Sequence, residues 1–281
     1  MDNNFYTPAQ VHENMTKAAV TKAGYPLIKL ILLGIMAGLC IAMGAEASNV
    51  AMHAIDNVGL ARLVAGCVFP VGLMTLVLLG GELFTGNTMM LMGLVDKRIK
   101  VSGLLRNWVV VFFTNMIGSV FLAYLVSQTG QWDYTDGMLG AMTIKIAVGK
   151  VNLDPWTAVC SGIMCNVFVC AAVLMASAAK DISGKLLACF FPICAFVISG
   201  FEHCVANMYY IPAGMMAAKN PKYVEKAQEL YGIGAEKLAN LDLSHFFGNN
   251  LFFVTIGNII GGGVVIGLMY YAIFVHKSNQ Q

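Results

Sequence analysis

Charged residues are scarce in this chain. Only 11% of its 281 residues are Asp, Glu, Lys or Arg, against about 25% in an ordinary soluble domain. Hydrophobic residues make up 58% of the chain, and the mean hydropathy is +0.71. The composition therefore excludes a soluble globular protein and predicts an integral membrane protein in a lipid bilayer. Because the net charge is only +2, nothing indicates a nucleic-acid partner.

Several signatures of chemical sites are also missing. None of the eight cysteines forms a CxxC pair, so the sequence predicts neither a disulfide framework nor a thiolate metal site. No clustered metal ligands or catalytic constellation indicate a metal, a cofactor or an enzyme. The first residues lack the apolar core of a signal peptide, so we expect the N-terminus to be retained. Residues 1–25 instead predict an amphipathic cytoplasmic helix, either a surface anchor or a moving gate.

Long apolar runs are what the chain does have, and they predict an all-α protein with six transmembrane helices. The predicted spans cover residues 27–45, 63–95, 107–127, 156–179, 186–217 and 247–275, and His276-Lys277 ends the last one. The longest predicted loops are 46–62, 128–155 and 218–245. An even number of spans places both termini on one side. That side has more Lys and Arg than Asp and Glu, which predicts cytoplasmic termini.

The second span contains polar residues where it should cross the middle of the bilayer. The apolar run from Leu63 to Val95 holds one charged residue, Glu82. It is longer than the roughly 20 residues that one straight spanning helix needs. Its centre reads Gly-Gly-Glu-Leu-Phe-Thr-Gly-Asn at 80–87. Such a segment is tolerated only where the helix breaks and the freed backbone groups face protein or water.

The second half of the chain repeats this pattern. Residues 200–207 read Gly-Phe-Glu-His-Cys-Val-Ala-Asn, with Gly, Glu and Asn at the same relative positions as in 80–87. Asn115-Met116-Ile117-Gly118 similarly matches Asn258-Ile259-Ile260-Gly261. The repeat predicts two inverted halves, about 26–127 and 156–277, within a channel domain of residues 26–277. Spans 2 and 5 are then both broken, a feature of transport proteins.

Each break would end where a short helix restarts, at about Gly86 and Val205. The first N–H groups of a helix lack partners and its dipole is positive there, so two such ends favour an anion. Thr85 could donate a hydrogen bond to it. Asn87 and Asn207 would pair freed backbone groups or contact the solute.

Four titratable residues leave alternatives open. His203 is either a satisfied core histidine or a pore-facing group that attracts an anion when protonated. Glu82 and Glu202 either bond to backbone N–H groups and Asn, or line a pathway for cations. Lys150, in a predicted extracellular loop, either collects anions at the mouth or is simply solvated.

Three motifs, and the order in which they occur along the chain, resemble those of the formate/nitrite transporter family of bacterial and archaeal inner membranes. They are Gly-Glu-Leu-Phe-Thr-Gly-Asn at 81–87, Ser-Gly-Phe-Glu-His-Cys-Val-Ala-Asn-Met at 199–208 and Val-Thr-Ile-Gly-Asn-Ile-Ile-Gly-Gly-Gly at 254–263. The resemblance covers about residues 5–277. It implies an aquaporin-like fold and a homopentamer with one pore per subunit. It also implies passage of small monovalent anions. The second and third motifs resemble the formate branch and the first resembles the nitrite branch, so formate is the favoured anion, with nitrite and hydrosulfide as alternatives.

The resemblance also implies roles for individual residues. The implied pathway residues are Thr85, His203, Asn166 and Lys150. The implied constrictions are Phe69 and Phe196 on the periplasmic side and Leu73, Phe84 and Val169 on the cytoplasmic side. The N-terminal helix would be a pH-responsive cover. We expect an anion to meet Thr85 and His203 and to be protonated there, since a neutral acid crosses apolar constrictions more easily. A cation channel and a neutral-solute channel are the alternatives, although neither Asn87 nor Asn207 starts an Asn-Pro-Ala motif.

Overall fold

Helices account for nearly all of the chain. The computed structural model describes residues 4–275, so the predicted end of span 6 at His276-Lys277 lies outside the described residues. In chain order the helices are α1 Pro8–Ala23, α2 Leu27–Met52, α3 Val58–Leu79, α4 Phe84–Val95, α5 Val101–Ser127, α6 Tyr134–Val151, α7 Pro155–Ala178, α8 Ile182–Ser199, α9 Cys204–Ala217, α10 Pro221–Tyr231, α11 Ala235–Ala239 and α12 His245–Phe274. Within residues 4–275 the only β pairing is an isolated bridge between Phe5 and Ala179.

Six of these helices, α2, α3, α5, α7, α8 and α12, are long and apolar enough to cross a membrane. This confirms the predicted all-α fold with six spans. The shorter helices α4 and α9 follow α3 and α8 after four residues without helical structure each, 80–83 and 200–203. Helix α12 contains two stretches of π-helix, His245–Leu251 and Ile259–Leu268.

Two predicted loops are mostly helical. Span 1 continues to Met52 and α3 begins at Val58, so only residues 53–57 separate the helices where a loop over 46–62 was predicted. Residues 134–151 form α6, although the sequence placed them in the loop before span 4. This helix contains Asp136, Lys145 and Lys150 and is not among the six helices apolar enough to cross a membrane, and it buries Leu139, Ile144 and Val148 against the rest of the subunit. Tertiary packing, rather than length and hydropathy, accounts for both differences.

Glycine ends both interrupted helices. Gly80 ends α3 with φ 79°, and Gly200 ends α8 with φ 73°, in the left-handed region that glycine reaches without a steric penalty. The chain then becomes extended, at Leu83 and His203, directly before α4 and α9. These two positive-φ glycines are therefore the local cause of the breaks.

Small residues allow two pairs of helices to pack backbone against backbone. A Cβ atom on Gly118 of α5 would lie 2.1 Å from the carbonyl oxygen of Ile35 in α2. A Cβ on Gly261 of α12 would lie 2.2 Å from the carbonyl oxygen of Ile163 in α7. Glycines at such crossings are typical of membrane helices. The two close approaches involve glycines at matching positions of the sequence repeat, Gly118 and Gly261.

The subunit surface is apolar and part of its interior is polar. Exposed side chains recur every fourth residue along α5, at Val101, Leu105, Val109, Phe113, Ile117 and Phe121. By contrast, Asn115, Asn166 and Asn258 are fully buried. Such a distribution suits a protein surrounded by lipid or by other subunits, with its hydrogen-bonding groups turned inward.

The packing of α3 against α8 gives a test of how the halves meet. A Cβ on Gly66 would lie 2.9 Å from the carbonyl oxygen of Cys194, and the Cys67 thiol is close enough to interact with the Cys194 thiol. We expect a mild thiol oxidant to join Cys67 and Cys194 in one disulfide, detected by mass spectrometry of peptides from the purified protein. Cys160, a half-buried free cysteine for which the described residues show no contact with another thiol, is the internal control. Oxidised protein in which Cys67 remains a free thiol would contradict the packing of α3 on α8.

Candidate functional site

Two buried asparagines hold the ends of the interrupted helices. In the first half, Asn115 Oδ1 accepts a hydrogen bond from the Phe84 backbone N–H at 2.9 Å. Its Nδ2 donates to the carbonyl oxygens of Gly34 and Glu82, at 2.8 and 2.9 Å. The amide therefore pairs backbone groups on both sides of the break, groups that would be costly to leave unpaired in a membrane interior.

Asn258 makes the same contacts in the second half. Its Oδ1 accepts from the Cys204 backbone N–H at 2.9 Å. Its Nδ2 donates to the carbonyl oxygens of Gly162 and Glu202, at 2.8 and 3.0 Å. The sequence revealed Asn115 and Asn258 as members of the repeat, but it did not indicate that they hold the breaks.

The carboxylate of the first break is part of a buried polar cluster. Glu82 accepts a hydrogen bond from Asn87 Nδ2 at 2.8 Å, and that amide also donates to Asn107 Oδ1 at 2.8 Å. The Lys22 ammonium lies 2.9 Å from Glu82 and 2.7 Å from Asn87 Oδ1. Lys22 comes from the N-terminal helix α1, so α1 provides the counter-ion of the buried carboxylate in the first break.

The second break has a matching cluster. Glu202 accepts from Asn207 Nδ2 at 2.6 Å, and that amide also donates to Asn250 Oδ1 at 2.7 Å. The Lys150 ammonium lies 2.8 Å from Glu202. Lys150 sits at the end of α6 and not in an open loop. Helices α1 and α6 thus occupy equivalent places, each directing one lysine to one glutamate.

His203 and Thr85 bring the two breaks together. His203 Nε2 lies 3.0 Å from Thr85 Oγ1, across the interface between the halves. The other ring nitrogen, Nδ1, accepts from the Ala206 backbone N–H at 3.0 Å and so caps α9. With Nδ1 acting as an acceptor, neutral His203 carries its proton on Nε2 and donates it to Thr85. The threonine hydroxyl proton is then available to another acceptor.

Asn166 supports the same region from α7. Its Nδ2 lies 2.6 Å from the Asn258 carbonyl oxygen, at the start of the second π-helical stretch, and 3.1 Å from the Thr85 carbonyl oxygen. Its Oδ1 is buried without a hydrogen-bond partner among the described residues. Asn166 therefore links α4 to α12 and retains one free acceptor.

Aromatic residues close the region on one side. The Phe69 and Phe196 rings meet edge to face with centroids 5.6 Å apart, and Phe196 lies 6.2 Å from the His203 ring. Leu73, Phe84 and Val169 belong to the same buried apolar cluster. The Phe84 ring packs against Phe112 and Trp108 of α5, with centroids 5.1 and 6.1 Å away.

A cavity of about 620 Å³, here called the outer cavity, leads to these rings. Phe69, Phe196 and His203 form its floor, and α2, α3, α6 and α10 contribute to its walls. Its lining includes the cations Arg62, Lys145 and Lys150 and the acids Asp56 and Glu202. The sequence did not indicate Arg62 or Lys145, because nothing in their local sequence distinguishes them from solvated residues.

The sequence profile described as "Formate/nitrite transporter" matches residues 9–272. The chain belongs to the formate/nitrite transporter family. A probable formate transporter of Methanothermobacter thermautotrophicus is 38% identical over 99% of this chain and 100% of its own length. The formate channel FocA of Haemophilus influenzae is 37% identical over 93% of this chain and 92% of its own.

Solved structures agree with this assignment. A pentameric formate channel with formate bound superposes with a TM-score of 0.76 at 33% identity, covering 89% of this chain and 98% of that one. An ion channel of the same family gives a TM-score of 0.77 at 25% identity, covering 94% and 98%. Together with the six apolar helices, the family membership identifies a multi-pass membrane protein of the transporter class.

The buried face of helix α1 packs against the other helices of this formate/nitrite transporter. The His12 ring lies 5.7 Å from the Tyr271 ring, and its Nε2 has no hydrogen-bond partner among the described residues. Beside it, Glu13 forms two hydrogen bonds to the Arg98 guanidinium, at 2.9 and 2.8 Å. Burial lowers the pKa of His12 from 6.5, although Asp96 and Glu13 act in the opposite direction.

We expect docking of α1 to weaken as the pH falls below about 6.5, where free His12 takes up a proton that the docked helix disfavours. Hydrogen exchange of the α1 amides, corrected for its intrinsic pH dependence, measures this. The His12→Phe variant keeps an apolar ring without a titratable group, so its docking should be independent of pH in this range. Equal pH dependence in both proteins would contradict a role for His12.

A second prediction concerns the asparagines at the breaks. Asn258→Leu and Asn115→Leu each leave one buried N–H and two buried carbonyls without their partner. We expect each variant to lose at least about 1–3 kcal/mol of stability, measured as a lower thermal midpoint in one detergent. Gln128→Leu, at an exposed position, is the control. A thermal midpoint for Asn258→Leu equal to that of the control would contradict the role of Asn258 in pairing the backbone groups at the break.

Proposed function

We propose that this protein is a channel for small monovalent anions, with formate as its principal substrate. The contact between Thr85 and His203 carries the proposal, because it places hydrogen-bond donors where α4 and α9 begin, next to the outer cavity. The relatives named as formate transporter and formate channel support the choice of formate. Nitrite and hydrosulfide are the alternatives within the same family.

The paired glutamates support an anion rather than a cation as the solute. Glu82 and Glu202 are buried, and each is bonded to an asparagine and paired with a lysine. Their charges are therefore balanced within the protein, and their oxygens are occupied. We assign them, with Asn87 and Asn207, a structural role at the breaks. The positive ends of α4 and α9 then remain to attract the solute.

This pairing also changes the expected role of Lys150. A lysine whose ammonium lies 2.8 Å from Glu202 is a counter-ion before any solute arrives. We propose that Lys150 holds Glu202 in its neutralised state, and that Lys22 does the same for Glu82. Without either lysine, a buried unpaired carboxylate beside the path would repel anions.

Thr85 and His203 would act as a donor chain. The neutral imidazole donates Nε2–H to the threonine oxygen, which polarises the hydroxyl and strengthens its own donation to the anion. Protonating Nδ1 would break the cap on α9, so this geometry favours the neutral ring. Any proton that crosses with the anion must then enter from the water of the cavity. Asn166 would hold Thr85 in place by bonding to its backbone.

The apolar constrictions would select for neutralised or weakly hydrated solutes. An anion loses its hydration between Phe69 and Phe196, and the same acid in its neutral form loses much less. Leu73, Phe84 and Val169 would impose the same requirement beyond Thr85. We propose that the donor chain holds the anion between the two constrictions, where it can take up a proton.

The setting of the channel is part of the proposal. The pentameric structure at 33% identity supports a homopentamer with one pathway in each subunit. The excess of Lys and Arg on the side of the termini supports cytoplasmic N- and C-termini in a prokaryotic inner membrane. On this orientation the outer cavity faces the periplasm, and α1 covers the cytoplasmic side.

The test is formate flux into liposomes that contain the purified protein, at about pH 5.5 and pH 7.5. We expect faster flux at the lower pH. Thr85→Val and His203→Phe should each reduce flux about 10- to 100-fold, because the first removes the donor to the charged solute and the second removes the group that orients and polarises that donor, and such a hydrogen bond is worth about 1.5–3 kcal/mol. The residual flux of His203→Phe should still rise at the lower pH, because the proton enters from the water of the cavity and not from the imidazole.

Matched controls distinguish the loss of a hydrogen-bond donor from a general disruption of the protein. Thr85→Ser keeps the hydroxyl group and should retain flux close to that of the wild type. Protein-free liposomes measure leakage of formic acid, and nitrite and hydrosulfide in the same assay rank the substrates. Passage of potassium or ammonium without any of the anions would overturn the proposal and would point to Glu82 and Glu202 as the pathway.

A further inference from the structure

The outer cavity contains two cationic side chains that no acid neutralises. Arg62 donates to the Ile198 carbonyl oxygen at 3.2 Å, and the Lys145 ammonium lies 4.3 Å from the centre of the Tyr231 ring. Within residues 4–275, neither Arg62 nor Lys145 forms an ion pair. Lys150, in the same cavity, is already engaged by Glu202. The free positive charge of the cavity therefore belongs to Arg62 and Lys145.

The cavity is also much larger than a small anion requires. Its volume of about 620 Å³ falls in the range of about 300–1,000 Å³ that is usual for sites holding drug-sized ligands. Its lining combines the charged groups with apolar and aromatic side chains, which include Met138, Met142, Phe201, Tyr210, Leu230 and Tyr231. Apolar walls with a few polar groups are the usual composition of a site for an organic ligand.

The floor of the cavity limits what can pass through. The Phe69 and Phe196 rings are in edge-to-face contact, with centroids 5.6 Å apart. A carboxylate with a hydrocarbon body, which formate lacks, can enter the cavity, but it meets these rings before it reaches Thr85. The cavity and the pathway below it therefore differ in the size of the solute that they admit.

We propose that the outer cavity is a binding site for organic monocarboxylates with an apolar body, and that these ligands block entry of small anions from this side. The carboxylate would bind Arg62, whose planar guanidinium suits a two-oxygen acceptor, and Lys145. The apolar body would lie against aromatic side chains of the wall. Asp56 also lines the cavity and opposes the anion, so its charge limits the affinity.

The first experiment measures binding without any transport. The probe is benzoate, added to the purified full-length protein in detergent and followed by saturation-transfer NMR. Benzyl alcohol has a similar ring and no charge, so it measures the apolar contribution alone. We expect benzoate to bind about tenfold more tightly, because a charge-assisted hydrogen bond is worth about 1.5–3 kcal/mol and 1.4 kcal/mol is a factor of ten.

Variants then locate the site. Arg62→Gln and Lys145→Gln should each weaken benzoate binding about three- to tenfold and leave benzyl alcohol binding unchanged. Asp56→Asn should strengthen benzoate binding, because it removes the opposing charge. Lys222→Gln, at an exposed lysine that does not line the cavity, is the matched control and should have no effect. Both Arg62 and Lys145 are exposed, so the variants should fold, and size-exclusion chromatography checks this.

The second experiment measures block. Benzoate added to the outside of right-side-out vesicles should slow formate entry in the wild type and should do so much less in Arg62→Gln. This readout rests on the function proposed above, and the binding experiment does not. Absence of wild-type formate flux would therefore defeat the proposed function alone. Equal binding of benzoate and benzyl alcohol, or unchanged benzoate binding in both Arg62→Gln and Lys145→Gln, would overturn the carboxylate site.

Discussion

The pairing of freed backbone groups by Asn115 and Asn258 is the interaction on which the rest of this structure depends. A helix can stop inside a membrane only if its exposed N–H and C=O groups find partners within the protein. Each asparagine joins the last residues of the break to the first N–H of the next helix. With the ends held in this way, α4 and α9 can begin inside the protein, where the proposed pathway uses their positive ends.

The cost of burying unpaired polar groups also explains why the buried glutamates are paired with lysines. The glutamates at the breaks bring negative charge close to the proposed path, and burial without a counter-ion would be strongly unfavourable. Lys22 and Lys150 supply the counter-ions from α1 and α6, two helices that do not span the membrane. Each half is thus three spans preceded by a short helix that carries a lysine. This arrangement gives α1 an electrostatic role at the centre of the protein in addition to its packing at the surface.

The proposed pathway attracts the solute in one place and selects it in another: the cations lie in the outer cavity, and the apolar constriction lies below it. Arg62 and Lys145 line the outer cavity, and the Phe69 and Phe196 rings meet at its floor beside His203. Thr85, which does not line the cavity, is paired with His203. In the proposed pathway an anion would meet positive charge first, an apolar restriction second and the Thr85 donor third, an order that the folding of the chain creates.

Much of the architecture was readable from the sequence. Hydropathy determined six spans, and the recurrence of Gly, Glu and Asn at 80–87 and 200–207 located both interruptions, because these properties depend on local composition and spacing. The family motifs likewise singled out Thr85, His203 and Asn166. Local sequence could not place α6 as a helix, because its stability comes from the surfaces on which it packs.

Which charged groups meet depends on how the helices pack. Lys22 and Glu82 are far apart in the chain, and nothing near Lys22 indicates a buried carboxylate partner. Lys150 resembled a solvated loop residue until the fold brought it to Glu202. Arg62 and Lys145 also resembled solvated residues in the sequence, and only the folded chain shows that they line a cavity without forming an ion pair within residues 4–275. Hydropathy and the repeated motifs were enough to predict which segments cross the membrane and where the helices break. The fold determined which charges are neutralised and which remain free, since pairing depends on distances that helix packing alone sets.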